Sequence, residues 1–161
     1  MGIEIERKFL LKNDSWKSLV TETHMIKQGY LQSGLDASQK SSVRIRISNK
    51  LANINVKSVD LNMVRQEFEY DIPLHDAEEM LATLCSGVII EKIRYYVPIA
   101  HHLWEIDVFS GANAGLQVAE IELGSVGEAF EKPDWIGDEV SEDKRYYNIY
   151  LLKSPYSMWS V

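Results

Sequence analysis

The 161-residue chain contains one cysteine, four prolines and four histidines, and each scarcity closes off a class of protein. Lone Cys85 cannot form an intramolecular disulfide, and in the apolar stretch EEMLATLCSGVII it reads as a core thiol. No Cys/His spacing matches a metal-ligand motif. His101 and His102 adjoin, His24 and His75 stand alone, and all four read as turn or surface residues. No apolar run reaches the length of a membrane span, and the N-terminus carries no basic-then-apolar leader pattern. A cytoplasmic protein without membrane contact is therefore expected. Basic residues are in deficit, with a formal net charge of −7, which argues against a nucleic-acid binder. Net charge describes the surface average, however, and leaves room for a locally basic cavity. No repeat, linker or low-complexity run divides the chain, so a single domain over 1–161 is expected.

What the sequence has in abundance is alternation. Eight segments read as strands: 2–11, 24–32, 42–48, 51–59, 64–72, 88–99, 102–109 and 116–123. Short joints at Asn49-Lys50, Asp60-Leu61-Asn62 and Ala100-His101 predict hairpins, and hence antiparallel neighbours. The connections 13–20 and 75–85 read as helices, the first capped by Asn13 or Asp14, the second following Pro73 and ending before Gly87. Beyond the last strand, 127–137 reads as a short helix with a Pro-Asp-Trp turn. Residues 139–153 read as a C-terminal helix capped by Ser141, with Tyr147, Tyr150 and Leu151 on one side. The fold class expected is mostly-β α+β, an eight-stranded antiparallel closed barrel with a few flanking helices.

Side chains two apart on a strand share a face. On the first strand Glu4, Glu6 and Lys8 oppose Ile3, Ile5 and Phe9. Arg44 and Arg46 oppose Val43, Ile45 and Ile47, and Asn55 and Lys57 oppose Ile54 and Val56. Arg65, Glu67 and Glu69 oppose Phe68 and Tyr70, while Lys92 and Arg94 oppose Ile93 and Tyr95. Glu105 and Asp107 oppose Trp104, Ile106 and Val108, and Glu120 and Glu122 oppose Ala119, Ile121 and Leu123. The second strand offers Gln28 and Tyr30 instead.

Two structures satisfy this pattern. Either the apolar faces fill the barrel and the charges lie in water, or the barrel is inverted, with charges inside and helices over the apolar outside. Like charges two apart on a strand repel, and a solvated face gains nothing from that. They make sense around a ligand of opposite charge. Carboxylate pairs suit a divalent cation, and arginine pairs suit phosphate, which guanidinium binds through two hydrogen bonds. Both in one cavity describe a metal–polyphosphate complex.

These residues also carry a resemblance. Glu4-Ile5-Glu6-Arg7-Lys8 matches the ExExK motif that opens the CYTH domain, the superfamily also called triphosphate tunnel metalloenzymes. Gln28-Gly29-Tyr30-Leu31, Arg44-Ile45-Arg46, Asn55-Val56-Lys57, Glu67/Glu69, Lys92-Ile93-Arg94-Tyr95, WEIDVF, AEIEL, PDWIG and EVSEDKRYYN resemble further segments of small bacterial members, in order. The resemblance implies a hydrophilic tunnel that binds a triphosphate with one or two Mg²⁺ or Mn²⁺ ions. By motif it makes Glu4, Glu6, Glu120 and Glu122 the metal carboxylates. It makes Lys8, Arg44, Arg46, Lys57, Lys92 and Arg94 the triphosphate-binding set. Glu4, Glu6, Lys8 and Glu122 are the catalytic candidates, with Glu4 or Glu122 orienting the water. Glu67, Glu69, Glu105 and Asp107 either position that water or orient the basic side chains. Arg145 closes a tunnel mouth or lies on a helix surface.

The reaction implied is metal-dependent hydrolysis of inorganic tripolyphosphate to pyrophosphate and phosphate. The alternatives are a class IV-type adenylate cyclase, a thiamine triphosphatase, or a polyphosphate- or nucleotide-binding module without turnover. The expected partners are inorganic triphosphate or a nucleoside triphosphate and, through the C-terminal YSMWSV, a second copy in a homodimer.

Overall fold

A computed structural model describes residues 4–59 and 66–159. Ile3, Arg65 and the joint at 60–62 lie outside the described residues. The elements are β1 (Ile5–Leu11), β2 (Glu22–Gln32), β3 (Ser41–Ser48), β4 (Leu51–Ser58), β5 (Glu67–Ile72), α1 (Leu74–Thr83) and β6 (Ser86–Ile99). They continue with β7 (His102–Ser110), β8 (Gln117–Leu123), β9 (Ile136–Glu139) and the single-turn α2 (Asn148–Leu151). Asn49, with φ of 56°, turns the β3–β4 hairpin, and Ala100, with φ of 53°, turns β6 into β7.

The strands form one antiparallel sheet in the order β5-β4-β3-β2-β6-β7-β8-β1-β9. Two expectations are corrected here. Among the described residues the sheet has nine strands, not eight, and hydrogen bonds do not close it. The extra strand, β9, takes the free edge of β1 through Phe9↔Glu139 and Leu11↔Ile136. β5, at the other edge, presents Glu67, Glu69 and Asp71, charges that discourage further strand pairing. The two sides of the sheet meet through an ion pair instead. Lys57 Nζ on β4 lies 3.3 Å from Glu4 Oε2, just ahead of β1, and 4.0 Å from Glu67 Oε1 on β5. β1 and β8 are neighbours, with Glu6↔Glu122 and Lys8↔Glu120 in register.

Apolar strand faces are covered from outside, as the inverted arrangement requires. α1 lays Ala77 and Leu81 against Ile45 and Ala52. On the opposite wall Trp104 meets Phe9, Phe130 and Trp135 edge-on at 5.6, 5.9 and 5.7 Å, with Trp16 and Ile121 completing the cluster. A third cluster blocks one end of the interior. Tyr30, Ile90, Phe109, Leu116 and Val118 close around Leu151 and Leu152 from the C-terminal segment. Gly87 permits that docking. Its φ is +77°, and a Cβ there would sit 3.0 Å from the Leu152 carbonyl oxygen.

The helices expected late in the chain do not form. Residues 128–133 are irregular, and 136–139, spanning the end of the first expected segment and the start of the second, are β9. Residues 139–153 hold only a 3-10 turn, Lys144–Tyr146, and α2. Ser141 does not cap a helix. Its Oγ accepts the Lys8 amide N–H at 2.9 Å and donates to Glu139 Oε2 at 2.8 Å, which ties the segment to β1. A side chain engaged in tertiary contacts competes with local helix, and here it prevails.

Candidate active site

Alternation on these strands delivers the ionic side chains to one cavity of about 640 Å³. Its wall includes Glu4, Glu6, Lys8, Arg44, Arg46, Lys57, Glu67, Glu69, Arg94, Glu105, Glu120 and Glu122. Thus twelve residues named from sequence line one water-accessible lumen. A second cavity of about 430 Å³ reaches Glu6, Glu105, Glu120 and Glu122 from the side of His101 and His102. The carboxylates therefore form a partition approachable from two sides.

Three named residues do not line the main cavity. Lys92 and Asp107 lie beneath its wall, with Lys92 Nζ 2.7 Å from Asp107 Oδ2 and both side chains almost wholly buried. Arg145 faces outward. It pairs with Asp143 at 2.7 Å and stacks 5.0 Å over the Trp159 ring.

The basic residues divide by partner. Asp107 accepts from Arg94 Nε at 2.8 Å and Nη2 at 2.9 Å, and Glu105 lies 2.9 Å from Arg94 Nη1. Lys8 Nζ lies 2.9 Å from Glu120 Oε1, donates to the Tyr146 carbonyl, and sits 4.3 Å from the centre of the Tyr147 ring. Arg44 and Arg46 differ. Among the described residues neither has a carboxylate within ion-pair distance, and Arg44 Nε is buried without a hydrogen-bond partner. Arg46 Nε donates to Gln28 Oε1 at 2.9 Å. Burial, with Arg44 and Arg94 nearby, pushes Arg46 down to about 10. This is an excess of positive charge that lacks an anion.

The opposite excess stands on β1 and β8. Glu6 is wetted by the cavity yet enclosed by protein on most sides. That enclosure, with Glu120 and then Glu4 as neighbours, raises its carboxyl to about 8. Burial is the largest influence on Glu120 and would raise it, but Lys8, Lys92 and Arg94 together outweigh burial and hold Glu120 below its ordinary value. Burial raises Glu105 as well. Among the described residues no three carboxylate, imidazole or thiolate groups are already gathered as a metal site. The donor chemistry nonetheless fits a hard cation: all-oxygen ligands whose mutual repulsion a divalent charge relieves.

Glu6 makes the metal-free protein sensitive to pH. A carboxyl with a folded pKa raised above its unfolded value contributes stability below the unfolded pKa and loses it as pH rises through the folded one. Metal-free protein is therefore expected to melt at progressively lower temperature between about pH 5 and pH 8. Glu6→Gln should flatten that slope, and water in the cavity limits its size. Thermal melts in a metal chelator across that range measure it, and identical slopes for the two proteins reject this origin.

Asn55 is placed with Lys57 on the polar face from sequence but given no role there. It is buried, and its amide donates to Glu67 at 2.7 Å and Glu69 at 2.9 Å, gathering two like charges on the edge strand. Tyr147, Asn148 and Ile149 also line the cavity, from a segment expected to be helical.

Comparison with known proteins agrees with this geometry. The CYTH domain model matches residues 2–150. An inorganic triphosphatase of Acetivibrio thermocellus is 44% identical over 156 residues, covering 97% of each chain. One from Nitrosomonas europaea is 36% identical over 154 residues, covering 94% of this chain and 97% of its own. A crystal structure of an inorganic triphosphatase superposes with a TM-score of 0.71 at 33% identity, covering 96% of this chain and 98% of that one. With the ExExK strand, the antiparallel sheet and the charged lumen all in place, the chain belongs to the CYTH domain family.

Proposed function

We propose that this protein is an inorganic triphosphatase, hydrolysing tripolyphosphate to pyrophosphate and phosphate with Mg²⁺ or Mn²⁺. The observation that carries the reading is the segregation of charge inside one lumen. Arg44 and Arg46, without carboxylate partners, face a cavity whose other wall holds Glu4, Glu6, Glu120 and Glu122. The similarity to two inorganic triphosphatases over nearly the full chain supports it.

Glu4, Glu6, Glu120 and Glu122 are the residues to hold the cation. When bound, it supplies positive charge at the phosphoryl oxygens and lowers the pKa of a coordinated water. Arg44, Arg46 and Lys57 grip the phosphate chain from β3 and β4, with Arg94 from β6. Their planar forks and ammonium donors neutralise charge on the equatorial and leaving oxygens, which is most of what phosphoryl transfer requires. Glu4 or Glu122 accepts a hydrogen bond from the attacking water and so orients it. Lys8, Arg94 and Glu120 are buried in the wall, which strengthens the interactions they make.

A panel of tripolyphosphate, ATP and thiamine triphosphate, each with and without Mg²⁺ or Mn²⁺, tests the assignment. Phosphate release is expected from tripolyphosphate, only with metal, and faster than from either organic triphosphate. Cyclic AMP from ATP, or binding without release, overturns it.

A further inference from the structure

The geometry points to Asp107 as the positioning residue of the triphosphate site, the single carboxylate that sets Lys92 and Arg94 in place behind the phosphate chain. This rests on the triphosphatase reading and adds a role for a residue that does not touch the cavity. Asp107 lies on β7, is 1% exposed, and has both oxygens engaged. Oδ1 accepts from Arg94 Nε at 2.8 Å, and Oδ2 accepts from Arg94 Nη2 at 2.9 Å and Lys92 Nζ at 2.7 Å. Two cations two residues apart on β6 repel each other, and a shared anion between them removes that repulsion while fixing both directions. The fork fixes the guanidinium plane of Arg94, which reaches the cavity, while Glu105 holds only its Nη1, so Asp107 sets the direction in which Arg94 meets a phosphate.

The same arrangement governs protonation. Burial pushes Lys92 down to about 8, and Asp107 is the leading influence in the other direction. The other groups around this ammonium are Arg94 on its own strand, Arg46 on β3 and Glu120 on β8, with the Phe109 ring 5.3 Å away. Without the Asp107 charge Lys92 loses its proton at lower pH, and a neutral amine no longer attracts an anion.

The test is Asp107→Asn, which keeps shape and removes charge. KM for tripolyphosphate at saturating Mn²⁺ is expected to rise about tenfold to a hundredfold, in line with weakened charged hydrogen bonds. The alkaline limb of the kcat/KM profile, which reports groups of the free enzyme, should move down by about one pH unit. Mn²⁺ binding measured by calorimetry should change much less than KM, because Asp107 hydrogen-bonds Lys92 and Arg94 and none of Glu4, Glu6, Glu120 and Glu122. Should Asp107→Asn fail to fold, the charge-balanced Lys92→Met/Asp107→Asn pair replaces it. That double variant is expected to show a higher KM than Lys92→Met alone, because Arg94 loses its fork as well. An unchanged KM and pH limb in Asp107→Asn, or a double variant with the same KM as Lys92→Met, overturns the proposal. Wild-type protein that neither binds nor cleaves tripolyphosphate overturns the triphosphatase reading instead, so the two failures are distinguishable.

Discussion

Glu6→Gln is expected to lose at least about a hundredfold of metal-dependent turnover while leaving the metal-free protein at pH 8 as stable as wild type, or more stable. The two halves have one cause. Enclosure and the neighbouring Glu120 and Glu4 raise the Glu6 carboxyl to about 8, so its charged form is disfavoured in the folded chain. An amide of the same shape carries no charge to repel, and it also removes a hard anionic ligand. Glu120→Gln separates the effects. That carboxylate is held below its ordinary value, with Lys8 as its leading partner at 2.9 Å and both side chains buried. Removing its charge leaves the Lys8 ammonium without its carboxylate, so turnover and stability should fall together. Phosphate-release kinetics across a Mn²⁺ titration, with melts in chelator, measure both. Full turnover by Glu6→Gln at ordinary Mn²⁺ concentrations would mean that the cation is held elsewhere.

Most strand positions were legible because a period of two, with ions on one face and branched or aromatic residues on the other, leaves little freedom of register. Charge repetition such as Arg44-x-Arg46 and Glu120-x-Glu122 also told which face turns inward, a question hydrophobicity alone leaves open. What escaped was short or decided by tertiary contact. β9 is four residues long, contains Gly137 and lacks alternation, so it carried no periodic signal. Tyr147, Tyr150 and Leu151 have helical spacing, yet Ser141 and Tyr147 are bound to other parts of the segment and to Lys8, and only one turn of helix remains. The open sheet was hidden for a related reason. Among the described residues β5 and β9 are the edges left unpaired, and no local pattern announces which strands those will be. Depth was equally hidden. Lys92 and Arg94 look equivalent in sequence, but the first lies beneath the wall and the second forms part of it.

Arg46→Met is expected to raise KM for tripolyphosphate by about ten- to a hundredfold, with the combined Arg44→Met/Arg46→Met variant more severe. Arg46 is enclosed beside Arg44 and Arg94, and its side-chain partner among the described residues, Gln28, is a neutral acceptor. Such an arrangement is costly in the empty protein and favourable only when an anion arrives. Tripolyphosphate should therefore raise the melting temperature of the wild type in a chelator, by linkage of binding to folding, and raise that of Arg46→Met much less. Arg46→Lys should fall between them, because an ammonium keeps the charge but lacks the planar fork that meets two phosphate oxygens. Added salt should weaken the effect only modestly, since enclosed charges are poorly screened. An Arg46→Met protein with unchanged KM, and with a tripolyphosphate-induced melting shift equal to that of wild type, would place the anion away from the β3 wall and leave the excess charge there unexplained.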